Sequence, residues 1–194
     1  MQPELRKLIQ DIILQARAEL MRYDLSIRAR RKAAIHELEY CCDSFIESVI
    51  KVLYKSTGKS NVQAGAWQVG FVNPYNEDQF IKIVRNNSKD SHDVRSTRKL
   101  MELGLCSWQQ LPVVRCFAME TVLGHDVYIV ERCTQTLWQH NCTEMSIDPV
   151  GDYIKDTLEE AIGAEVSDLH ENNIMQTKDG RWVIIDCFID YSDE

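Results

Sequence analysis

Ser167-Asp168-Leu169-His170-Glu171-Asn172-Asn173, with Asp186 thirteen positions beyond Asn173, is the stretch from which the fold is read. Asp186 closes an apolar run, Val183-Ile184-Ile185. Asn173-Ile174-Met175 and Trp182-Val183-Ile184-Ile185 read as two short strands joined by a turn at Lys178-Asp179-Gly180. Such a hairpin brings Asn173 and Asp186 to the same end of a sheet. A carboxylate, an amide five residues on, and a second carboxylate at a strand end suit phosphoryl transfer. One carboxylate orients a hydroxyl nucleophile; the amide oxygen and the other carboxylate hold Mg²⁺ on a triphosphate. Asp168, Asn173 and Asp186 fill those places in order. The plainer alternative is that Asp168, His170 and Asn173 cap a turn between a helix and a hairpin.

Asp168-Leu169-His170-Glu171-Asn172-Asn173 resembles the catalytic loop of the protein-kinase-like superfamily, H-R-D-L-x-x-x-N. His170 in place of the usual Lys, and the small Ser167 before the Asp, look more like the aminoglycoside-phosphotransferase branch. They are also similar to small serine/threonine kinases encoded by short-tailed phages. Asp186-Cys187-Phe188 stands where D-F-G stands, without the Gly. The resemblance implies that Asp168 and His170 are catalytic, His170 stabilising charge on the γ-phosphate. It implies that Asn173 and Asp186 are metal ligands and that ATP and Mg²⁺ are the cofactors.

Working upstream, the long amphipathic segment Asp152 to Val166 carries Tyr153, Ile154, Leu158, Ala161 and Ile162 on one face and delivers the chain into Asp168. Thr134 to Met145 is polar and reads as irregular. A strand at Arg115 to Val122, a turn at Gly124-His125 and a buried-type strand at Val127 to Val130 form a meander. It resembles the last strands of a kinase N-lobe leading to the hinge, and the resemblance implies adenine contacts near Glu131 and Cys133. Gln79-Phe80-Ile81-Lys82-Ile83-Val84 is a strand with one Lys in an apolar frame. It resembles the V-A-I-K strand, which implies that Lys82 binds the α- and β-phosphates. A lone strand Lys is otherwise an exposed edge residue. Before it, Asn61 to Val72 reads as a hairpin with small residues at its tip. If it resembles the kinase Gly-rich loop, Gly65, Trp67 and Gly70 lie on the nucleotide, although the usual three glycines are not present.

Between those strands, Asp90 to Leu103 reads as a helix ended by Gly104. A kinase supplies a Glu from this helix to the strand Lys. Glu102 sits at the very end and Asp93 at the start, so either Asp93 substitutes or Lys82 is positioned otherwise. Lys55-Ser56-Thr57-Gly58-Lys59-Ser60 ends like a P-loop, but Tyr54 occupies the position where that pattern needs Gly, and the preceding segment is helical. The N-terminal segment reads as two amphipathic helices. The first spans residue 4 to about 22, with Leu5, Leu8, Ile9, Ile12, Ile13, Ala16 and Leu20 at helical spacing. The second spans Ala33 to Tyr54, with Ile35, Leu38, Cys42, Phe45, Val49 and Leu53 on one face. Arg28-Ala29-Arg30-Arg31-Lys32 is a basic run between them, either solvated or a contact for an acidic partner.

At 194 residues the chain accommodates one domain plus a helical extension. The formal charge of -8 argues against nucleic acid and against an anionic membrane surface as partners. No apolar run reaches membrane-spanning length. Seven cysteines, Cys41, Cys42, Cys106, Cys116, Cys133, Cys142 and Cys187, show no paired metal spacing; an odd count suits reduced thiols in a cytoplasm.

The expected fold is α+β, a reduced protein-kinase-like fold. It has a helical extension over 1-60, an N-lobe with a small antiparallel sheet over 61-133, and a truncated helical C-lobe over 134-194. A full activation segment and peptide-docking helices are missing, and the N-terminal helices are expected to pack where those would stand. The function this implies is ATP-Mg-dependent phosphorylation of protein Ser/Thr, of the phage type that acts on host proteins in the host cytoplasm. The partner is then a protein substrate or a regulated protein. The competing readings are a pseudokinase that engages a partner without catalysis, and a small-molecule kinase.

Overall fold

The computed structural model describes residues 1–30, 44–57, 62–64, 68–84, 92–106, 110–137 and 149–190. Two helices come first, α1 (Pro3–Arg30) and α2 (Ser44–Thr57). Strands β1 (Val62–Ala64), β2 (Gln68–Val72) and β3 (Gln79–Val84) lead to helix α3 (His92–Cys106). Then follow β4 (Cys116–Val122), β5 (His125–Glu131), β6 (Cys133–Thr136) and helix α4 (Pro149–Ile162). The described chain closes with β7 (Glu165–Ser167), β8 (Ile174–Thr177), β9 (Trp182–Ile184) and β10 (Phe188–Asp190).

The fold is α+β, built on a five-stranded antiparallel sheet in the order β1-β2-β3-β5-β4. A three-stranded sheet β6-β8-β9 and a two-stranded ladder β10-β7 complete it. This agrees with the small antiparallel sheet and few helices of the reduced kinase-like fold. Successive side chains of a strand point to opposite faces, and here both faces are apolar. Ile81 and Ile83 of β3 join Val127 and Ile129 of β5 and Val69 and Phe71 of β2 in one core. Val84, Tyr128 and Val130 face the other. That is why these strands read as nearly continuous apolar runs.

The first face is covered by α1 and α2, through Leu5, Ile9, Ile12, Ile13 and Ala16 and through Phe45, Ile46, Val49, Val52 and Leu53. Contrary to the expectation from sequence, the N-terminal helices therefore do not take the place of peptide-docking helices. They lie on the five-stranded sheet because its apolar outer face needs them. Each fully buried aliphatic side chain there contributes about 1.5–3 kcal/mol. α1 also runs past residue 22 to Arg30, since no Gly or Pro interrupts it. Of the second expected helix, residues 33–43 lie outside the described residues, as do Arg31, Lys32, Cys41, Cys42, Gly58 and Cys142.

Four other expectations are corrected. Gly104 does not end α3; it lies inside the helix, where a Cβ would run into the Val114 carbonyl oxygen. The β4–β5 turn is Leu123-Gly124, both at positive φ (51° and 87°), as a two-residue hairpin requires, and His125 is inside β5. Residues 133–136, expected to be irregular from 134 on, form β6 against β8. α4 ends at Ile162 rather than Val166, because Gly163 turns left-handed (φ 71°) and its N–H closes on the Glu159 carbonyl at 2.8 Å. The following residues become β7.

Candidate active site

Two ladders hold the loop that follows β7. Antiparallel pairing sets Ser167 opposite Phe188, so Asp168 leaves the ladder where Cys187 and Asp186 enter it. Beyond the loop, Ile174 pairs with Ile184, and the Ile185 N–H donates to the Asn173 carbonyl at 2.8 Å. Asn173 and Asp186 thus stand at the same end of the β8–β9 hairpin. Its far end is the expected turn, with Gly180 at φ 88°.

Asp168 adopts φ 60°, a left-handed conformation that Asp tolerates better than most residues. The Asn173 amide Nδ2 donates to the Asp168 carbonyl at 2.9 Å and to its Oδ2 at 3.3 Å. His170 Nδ1 accepts the Asn172 N–H at 3.2 Å, which leaves the proton on Nε2, 3.6 Å from Asp168 Oδ1. The local hydrogen bonds are those of a capped turn, as the plainer reading anticipates. Yet the side chains of Asp168 and His170 remain about half exposed, at 57% and 52%. A carboxylate held in shape and open to solvent can take a hydroxyl proton.

Lys82 is not an edge residue. It is 6% exposed in a central strand, and its Nζ donates to the Ile185 carbonyl at 2.7 Å. Burial lowers its pKa, and the nearby Asp186 carboxylate is the main opposing influence. No acidic side chain of α3 is described beside it. Glu102 is exposed, and the Asp93 side chain lies outside the described residues. Lys82 is positioned otherwise, by the backbone just before Asp186. α3 is docked by different contacts: Ser96 Oγ accepts the Ile189 N–H at 3.0 Å, and Arg98 pairs with the buried Asp126 at 2.5 Å.

Lys82 lines a cavity of about 220 Å³ together with Phe80, Val130, Cys133, Met175 and Ile185. That is below the usual range for small-molecule pockets, about 300–1,000 Å³. Gly70 lies inside β2, paired with Lys82, and its missing Cβ makes room for the Phe80 ring. Its glycine is explained by that packing. Gly65 and Trp67 lie outside the described residues. The Glu131 N–H is committed to the Arg115 carbonyl at 2.9 Å, and its carboxylate binds Arg181 Nη2 at 3.0 and 3.3 Å. Its carbonyl accepts the Cys133 thiol at 4.0 Å. Cys133 lines the cavity with its thiol pushed up to about 12 by burial, and Cys187 is likewise a buried thiol pushed up to about 12.

Sequence reasoning missed Gln68. Its Nε2 donates to Asp186 Oδ2, while its Oε1 is buried with no partner among the described residues. Nothing in the sequence marks a Gln at a strand start; only the β2–β3 register puts it over Asp186.

The donor set suits a hard cation. No cluster of three or more His, Cys, Asp or Glu occurs among the described residues. Mg²⁺ needs none, because one or two carboxylates plus substrate phosphates complete its shell. Asp186 and the Asn173 amide oxygen would hold it, and the ion would neutralise charge on transferring phosphate.

No protein-family model and no curated protein matches the sequence. Among solved structures, a mutant of the Mycobacterium tuberculosis PknI kinase domain is similar at a TM-score of 0.45 and 16% identity. The match covers 69% of this chain and 60% of that one. The chain thus spans less than two thirds of the kinase domain it matches. A likeness of that size assigns no activity to this chain. No helix among the described residues is long and apolar enough to cross a membrane.

Proposed function

We propose that the chain is a reduced protein-kinase-like enzyme that transfers the γ-phosphate of ATP, with Mg²⁺, to protein Ser or Thr. The observation that carries this reading is the convergence on one end of the β8–β9 hairpin. Asp168, Asn173 and Asp186 meet there, and Lys82 reaches the same end from the five-stranded sheet. Asp168 orients the hydroxyl, His170 Nε2–H places a donor beside the transferring group, and Asn173 and Asp186 hold the cation. Lys82 offers an ammonium to the phosphates once it lets go of the Ile185 carbonyl. The loop form, with His170 in place of Lys, resembles both the aminoglycoside-phosphotransferase branch and the phage kinases; of the two we take the phage type, with a protein substrate in a host cytoplasm, as the reading.

The pseudokinase reading is favoured by three observations. The cavity is small, no α3 carboxylate is described at Lys82, and Gln68 occupies Asp186. Nucleotide binding separates neither reading by itself, but its metal dependence tests the site. ATP should raise the unfolding temperature more with Mg²⁺ than with EDTA, by ligand linkage. Asp186→Asn should erase most of that difference. An undiminished Mg²⁺-dependent shift in the variant contradicts the assignment of Asp186.

A further inference from the structure

Asp186 is already engaged by the protein itself. Gln68, the first residue of β2 and paired with Val84 of β3, sends its carboxamide across to the Asp186 carboxylate. One residue earlier, the Ile185 carbonyl is held by Lys82 from the neighbouring strand. Two side chains of the five-stranded sheet therefore grip consecutive residues of the segment that would carry the metal. The grip is imperfect, because Gln68 Oε1 is buried without a partner among the described residues. A buried acceptor without a donor is a cost that the closed arrangement carries and an open one does not. An amide N–H on Asp186 Oδ2 also competes with a cation for that oxygen, since both bring positive charge to it.

We propose that Gln68 is a latch on Asp186, closed in the nucleotide-free protein and displaced when a cation and its nucleotide engage that carboxylate. The displacement rests on the phosphoryl-transfer reading above; the latch itself does not. In the closed form the Gln68 N–H stands in for the positive charge of the metal and ties the start of β2 to the entry of β10. The apparent affinity for Mg²⁺-nucleotide is then reduced by the closed fraction, since only the open form is competent to bind. Gln68 is thus a positioning residue that sets when the site is available.

Amide hydrogen exchange on the full chain without nucleotide decides the latch. Gln68→Ala, Asp186→Ala and the double variant are compared with the wild type at the amides of residues 68–72. The latch predicts that each single variant speeds their exchange several-fold and that the double variant adds nothing further, the signature of a coupled pair. Gln68→Glu, which keeps the shape and sets two carboxylates against each other, should open the strand as well and covers the case in which Asp186→Ala does not fold. Unchanged exchange in Gln68→Ala and Gln68→Glu, or effects that simply add in the double variant, overturn the proposal. Titration with Mg²⁺ and a non-hydrolysable ATP analogue gives the second readout. Gln68→Ala should bind roughly tenfold more tightly, as expected if the closed form holds about nine molecules in ten. Weaker binding would make Gln68 a ligand and overturn the latch. If wild type and variants all fail to bind nucleotide, the phosphoryl-transfer reading falls, while the exchange data still decide whether the latch exists.

Discussion

At the scale of single residues, burial decides what the polar groups do. Lys82 and His125 are both buried bases whose pKa is lowered chiefly by desolvation, but only Lys82 reaches the cleft. His125 stacks flat on Phe45 of α2, with ring centroids 4.1 Å apart, and its Nδ1 is buried without a partner among the described residues. Arg17 of α1 adds to the cost of charging it, and a hydrogen bond with the Val84 backbone and, less strongly, the Asp126 carboxylate oppose. The folded protein therefore resists a proton that the unfolded chain accepts near the ordinary pKa of 6.5. Stability is full above that value and falls as pH drops toward the lowered folded pKa. Urea unfolding midpoints on either side of that ordinary pKa should show this loss. His125→Phe should remove the part that His125 contributes, and an unaltered pH slope in the variant would show that other groups carry it. The sequence showed Asp168, Asn173 and Asp186 because their spacing is itself the signal. It could not show Gln68 or Phe80, whose roles depend on which strands are neighbours.

At the scale of elements, length and apolar pattern governed what could be read. β2, β3 and β5 were legible because each is at least five residues long and mostly apolar. β7, β9 and β10 have three residues each, too few to show a period, and of these only β9 was expected, through its turn. Gly104 shows how a correct local rule fails. A glycine near a helix end signals a stop, but here it permits close approach of α3 to the Val114 carbonyl. The two effects of Gly104→Ala can be weighed. Helix propensity favours Ala by about 0.8–1.0 kcal/mol, while overpacking costs about 1–3 kcal/mol. The obstructing atom is backbone, so overpacking should win. The variant should be destabilised by up to about 2 kcal/mol in urea denaturation, and a stabilised variant would show that α3 shifts away freely.

For the whole molecule, the five-stranded sheet has a core on each face and Lys82 in its central strand. α1 and α2 close one face. The other faces the cavity, and several ties fix the two sheets across it. The Arg181–Glu131 pair joins the β8–β9 turn to the end of β5, and Lys178–Asp78 adds an exposed pair that contributes little. Val113 bridges Ile184, with the Val114 N–H donating to the Ile184 carbonyl at 3.0 Å. None of these ties was legible from the sequence, since each joins residues far apart in the chain. They fix the β8–β9 hairpin against the five-stranded sheet, and the claim that matters most is that the Asp168 loop at the end of that hairpin transfers phosphate. Phosphate transfer from γ-labelled ATP with Mg²⁺ to lysate proteins, compared between the wild type and Asp168→Asn, tests it most directly. Asn keeps the shape and can still make the turn's hydrogen bonds, so the variant should fold and bind ATP-Mg²⁺. Loss of a positioned base carboxylate lowers turnover by about two to four orders of magnitude, and labelling should fall accordingly. A wild type that binds nucleotide yet labels nothing across several lysates, or an Asp168→Asn variant as active as the wild type, would contradict the account.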